Sequence, residues 1–157
     1  MSKLTSALSL AAALSLAGGL LMAPAVADDA VYNAALNDAE QTFGFVPGFL
    51  KAMPKAALPG AWKELKDLEF SENTALSPKV KSLIGLAVVA QIPCAYCIWA
   101  DAASARQAGA SEEEIREAVA IAATERYWST MLNGLEINLD EFKAEFGPVL
   151  GVTATAK

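Results

Sequence analysis

Between Ser77-Pro78 and Pro93 lies a run that is apolar on almost every side of a helix: Leu83, Ile84, Leu86, Ala87, Val88, Val89 and Ala90. Serine is a good N-cap and proline suits the first helical position, so the run starts cleanly. The backbone before Pro93 is pushed out of helical geometry, so the helix stops near Ile92. A helix with so little polar surface is expected to be central and buried. A second helix follows from Pro93 to near Gly109, and the fold has to be built around this pair.

The remaining segments read as helices too, and the fold class is all-α. There is no sustained alternation of period two and no turn of the Asn-Gly type between two apolar runs. The pattern predicts a first helix over Asp28 to Phe43, ended by Gly44. An aromatic-rich turn at Phe45 to Phe49 and a short helical piece reaching Ala52 follow. Pro59 opens a helix over Gly60 to Glu69. Ser111 and Glu114 form a capping box ahead of the apolar stripe Ile115, Ala118, Val119, Ala122 and Ala123, which ends at Asn133-Gly134. A last helix is expected over Asp140 to Phe146, stopped by Gly147-Pro148, with a frayed tail from Gly151.

The chain has 157 residues, 54% of them hydrophobic. Part of that excess lies at the start, where Lys3 is the only charged side chain before Asp28. The apolar stretch Ala7 to Met22 followed by Ala25-Val26-Ala27 has the layout of a secretory signal peptide cleaved after Ala27. The stretch is short for a bilayer span, which needs about 20 apolar residues. The domain organisation read from the sequence is therefore a leader over 1–27 and one helical domain over 28–157, in the periplasm or secreted. Removing the leader takes one lysine and no acid, leaving a net charge of −7. An acidic chain without a basic cluster is not built to neutralise phosphates, which excludes nucleic acid as a partner.

Cys94 and Cys97 are the only cysteines, and they stand as Cys94-Ala95-Tyr96-Cys97. Zinc would need about four ligands, and this chain has two cysteines and no histidine. Attachment of a c-type haem needs a histidine after the second cysteine, where Ile98 stands. No metal or cofactor is expected. The pair is then a redox dithiol or a structural disulfide, and an oxidising compartment suits either. At the start of a helix both thiols are biased towards the reactive thiolate by free backbone N–H groups. Asp101 lies four residues after Cys97, on the same helical face. Its charge opposes thiolate formation, yet a partly buried carboxyl there could pass a proton to or from a sulfur. Tyr96, Trp99 and Trp128 read as packing residues.

Leu83-Ile84-Gly85-Leu86-Ala87-Val88, then Cys94-Ala95-Tyr96-Cys97, then Ala108 to Ile115, resembles the carboxymuconolactone decarboxylase-like superfamily, in its alkylhydroperoxidase D-like branch. The resemblance is strongest over Pro78 to Gly134. It implies a compact helical domain with the C-x-x-C at a helix N-terminus, assembled as a homo-oligomer, a trimer or hexamer. It also implies peroxide reduction by the cysteine pair and recycling by a dithiol reductant protein. By this resemblance Cys97 is the peroxidatic thiol and Cys94 the resolving one. The relay glutamate and histidine of such proteins fall on Ser82 and Asp101, so both relay members are replaced.

The leading expectation is an exported thiol oxidoreductase acting on hydroperoxides. A non-catalytic helical scaffold with a permanent disulfide is the alternative. A lactone decarboxylase or isomerase would have to bring Asp101, Glu125 and Ser82 into one pocket without a histidine.

Overall fold

The computed structural model describes residues 29–152; the leader and its cleavage site lie outside the described residues, as do residues 153–157 of the tail. The described residues form seven α-helices and one π-helical segment, with no strand among them. The helices are α1 (Asp29–Phe43), α2 (Gly48–Lys51), α3 (Leu58–Glu64), α4 (Pro78–Gln91), α5 (Ala95–Gln107), α6 (Glu112–Gly134) and α7 (Leu139–Val149). The π-helix, Leu65–Phe70, continues α3. No helix among the described residues is long and apolar enough to cross a membrane. The chain divides into two compact units at Leu58/Pro59.

In the first unit Ala35 and Ala39 of α1 and Leu50 of α2 are buried. The Tyr32 hydroxyl donates to the Lys51 carbonyl at 3.5 Å, and Lys55 pairs with Asp29 at 2.5 Å.

The second unit is centred on α4, which packs against both α5 and α6. Its core is Leu86, Ala105 and Ile115, one residue from each of the three helices, with Leu83, Ala102 and Ala110 packed around them. The helix starts are those the sequence specifies. Ser77 Oγ accepts from the Val80 N–H with Pro78 in the first turn. Ser111 and Glu114 close both bonds of the capping box, at 3.1 Å and 2.7 Å. Lys79 of α4 reaches the same Glu114 at 2.8 Å, so one carboxylate both caps α6 and ties it to α4. Gln91 adds a second tie, donating to the Ala122 carbonyl and accepting from Arg126.

Four expectations are corrected. Helix α4 is not buried all round: Leu86 is, but Ile84 and Val88 are about half exposed (49% and 50%). Helices α5 and α6 cover only part of its circumference, and an apolar helix needs more covering surface than this unit supplies. The segment read as one α-helix over Gly60 to Glu69 changes to π geometry at Leu65. Trp62 and Phe70, in edge-to-face contact at 6.3 Å, bridge the change. The last helix runs through Pro148 rather than stopping before it. A proline clashes with the Cβ of the residue before it, and here that residue is Gly147, which has none. Glycine also admits the return of the chain, since a Cβ there would lie 2.9 Å from the Val152 carbonyl oxygen. Tyr96, Trp99 and Trp128, expected to pack, are 89%, 76% and 53% exposed, because they stand on faces that no other described element covers.

Candidate active site

Ile92, pushed out of helical geometry by Pro93, ends α4 in an extended conformation, and Cys94 takes the N-cap position of α5 in β geometry. Its sulfur does what a serine oxygen does at other helix starts: it accepts the Cys97 N–H, at 3.3 Å. Cys97 is the third residue of the helix, so both sulfurs lie at its positive end. They are joined in a disulfide, with the Cα atoms 5.4 Å apart. Both residues are half-buried, so the bond is neither sealed in the core nor carried on a loose tip.

Asp101 stands one turn beyond Cys97 on the same side of α5. It is half-buried, and this loss of water holds its carboxyl above the ordinary 3.8. The space for it is made by Gly85 of α4: a Cβ there would meet the Asp101 carboxyl atoms at 3.1 to 3.2 Å. Ser82 is half-buried three residues before Gly85, on the same side of α4. The structure therefore places Cys94, Cys97 and Asp101 along one side of α5, with Gly85 and Ser82 on α4. Glu125 is not with them. It lines an apolar groove between α4 and α6 with Ile84, Ala87, Val88 and Ile121, whose lining includes neither Asp101 nor Ser82.

One residue of this neighbourhood has no signal in the sequence. Glu69, an exposed residue of the π-helix, has its carboxyl raised above the ordinary 4.5, first by partial loss of water and then by the like charge of Asp101. Glu64 adds to this repulsion and Lys81 opposes it, the smallest of the four effects. The cause that places Glu69 here is a change of helical geometry, which a repeat of 3.6 residues cannot reveal.

With these helices and this sulfur pair described, residues 56–138 match the carboxymuconolactone decarboxylase family, more than half of the chain. The chain belongs to that family. A solved structure of the same architecture is the alkylhydroperoxidase AhpD core from Rhodospirillum rubrum. It is 27% identical, with a TM-score of 0.61, covering 76% of this chain and 96% of that one. No protein of curated function matches. The all-α fold expected from the resemblance is thus the fold observed, and it is one that an alkylhydroperoxidase uses.

Proposed function

We propose that this family member is an exported thiol oxidoreductase that reduces hydroperoxides by cycling Cys94 and Cys97 between dithiol and disulfide. The observation that carries the reading is the closed, half-buried pair at the start of α5, one turn from a carboxyl held in a partly dry site. The likeness to an alkylhydroperoxidase core supports it. In the reduced state the Cys97 thiolate attacks the terminal peroxide oxygen. An S–O bond forms, the O–O bond breaks, and the departing alkoxide takes a proton to leave as an alcohol. Cys94 then attacks the Cys97 sulfenic acid; the S–S bond forms and water leaves. Two electrons pass from the thiols to the peroxide. An external dithiol protein returns them by exchange, with two protons. The balance requires no metal or cofactor.

The leader-like segment supports a periplasmic or extracellular location, and the acidic charge argues against nucleic acid. Assembly as a homo-oligomer, a trimer or hexamer, is part of the same proposal. Val80, Ile84, Val88 and Ile121 support it, because they leave an apolar surface exposed along α4 and α6.

Incubating reduced protein with cumene hydroperoxide and counting thiols tests the chemistry. Two thiols per chain should be lost, and a Cys97→Ser variant should lose its remaining thiol at least about a hundredfold more slowly. Equal rates would sink the proposal and leave a helical scaffold with a structural disulfide.

A further inference from the structure

The half-buried sulfur pair shares the start of α5 with the most exposed aromatic side chains among the described residues. Tyr96 lies between the two cysteines and Trp99 follows Cys97 by two positions. Three residues apart, the rings share one face of the helix. Ile92, just before the pair in the chain, is 61% exposed. No charged residue lies between Lys81 and Asp101, so this stretch offers apolar contact and no ion pair. Shape decides what can use it. A small molecule is held in a concavity that covers most of its surface. Tyr96 and Trp99 stand out from the helix instead, and they do not line the apolar groove between α4 and α6. Outstanding aromatic side chains are the usual anchors of contact with another protein. Area then decides how long that contact lasts. Each ring buries about 150–250 Å², so the two supply about 300–500 Å². A stable interface takes about 800 Å² from each partner, whereas redox encounters stay below about 1,200 Å² in total. A second copy seated here for good would also close the disulfide off from the reduction that the cycle needs.

We infer that Tyr96 and Trp99 form the transient docking surface for the protein that carries the reducing dithiol, one whose own cysteine pair is bordered by uncharged, apolar surface. The inference rests on the peroxidase reading and deepens it by placing the reductant's contact on this chain. A partner thiolate attacks one sulfur of the Cys94–Cys97 bond. The S–S bond breaks, a mixed disulfide forms, and the released sulfur takes a proton. The partner's second thiol then attacks the partner sulfur of that mixed disulfide. The second sulfur of this chain leaves and takes a proton, and the partner departs as a disulfide. Two electrons and two protons have passed from the partner to this chain. The rings take no part in these steps. They hold the partner while its thiolate meets the bond, and a small dithiol gains nothing from them.

Reduction of the oxidised full-length protein tests this, with reduced thioredoxin as the protein dithiol and dithiothreitol as the small one. Free thiols of this chain are alkylated at intervals and counted by mass. At equal dithiol concentration, thioredoxin should reduce the wild type at least about tenfold faster than dithiothreitol does. The ratio of the two rates should fall at least about tenfold in a Tyr96→Ser, Trp99→Ser double variant. It should return in Tyr96→Phe, Trp99→Phe, which keeps apolar rings at both positions. A ratio within about twofold of wild type in the serine variant overturns the docking surface and leaves the peroxidase reading standing. A wild type that thioredoxin reduces no faster than dithiothreitol does the same. A serine variant that sediments as a smaller species than wild type assigns the rings to contact between copies, and it too overturns the proposal. Failure of the peroxidase reading shows elsewhere, in reduced protein before any reductant is added, as hydroperoxide-driven thiol loss no faster than in Cys97→Ser. That result removes the need for a reductant and overturns both.

Discussion

Gly85 is the residue through which α4 and α5 approach each other at the site. A methyl group there would stand 3.1 Å from the Asp101 carboxyl, tight enough to push that side chain away. Against this, alanine favours a helix over glycine by about 1 kcal/mol. Gly85→Ala should therefore change the denaturation midpoint little, while slowing hydroperoxide-driven thiol loss at least about tenfold. Parallel urea unfolding and thiol assays check both halves. Charge gives a second prediction at this scale. The carboxyls of Glu69 and Asp101 are raised in the folded chain, so the folded state holds protons that the unfolded chain releases. Their contribution to stability is complete below about pH 4 and is lost as pH rises through the folded values. Glu112 and Glu114 are lowered, chiefly by hydrogen bonds from Arg106 and Lys79, and their contribution is lost in the opposite direction, below about pH 4.5. Unfolding free energy should therefore decline as pH rises from about 4.5 through the raised values of the folded chain, and the decline should flatten in Glu69→Gln. An unchanged slope in that variant would contradict the assignment. Cys94, Cys97 and Asp101 were legible in the sequence because their relation is local, set by the period of one helix. Glu69 was not, since 32 positions and a change of helix type separate it from Asp101.

At the scale of elements, the helix starts were legible to the residue at Ser77 and Ser111, where a side chain bonds its own backbone a few atoms away. The π-helix was not, because its geometry is held by tertiary contacts rather than by propensity. Lys81 is the evident fastener, giving two charged hydrogen bonds to one stretch of backbone. Lys81→Met keeps the aliphatic stem and removes both bonds. It should cost about 1.5 to 3 kcal/mol and speed amide exchange selectively over residues 65–71. Exchange that rises evenly along the chain would show instead that the segment stands without its tether. The passage of α7 through Pro148 has the same lesson in reverse: the restriction a proline places on the residue before it is eased when that residue, here Gly147, has no Cβ.

At the scale of the whole molecule, the apolar pattern of α4 gave the helix correctly and its surroundings incorrectly. Hydropathy records what a helix is finally packed against, and a second copy of the chain can supply that as well as its own fold. The exposed row Val80, Ile84 and Val88 is spaced by four residues and so forms one stripe. Ile84→Glu should put a charge into that stripe and shift the protein to monomers in sedimentation velocity, with helicity by circular dichroism retained. A sedimentation coefficient unchanged from wild type would place any assembly surface elsewhere. Ile84 and Gly85 are neighbours on α4, yet one belongs to the open apolar stripe and the other forms the wall behind Asp101. If a second copy covers that stripe, dilution loosens the same fourteen-residue rod that shapes the sulfur site. Protein concentration then becomes a variable of the thiol chemistry, and rates taken at nanomolar and micromolar dosage describe two different catalysts.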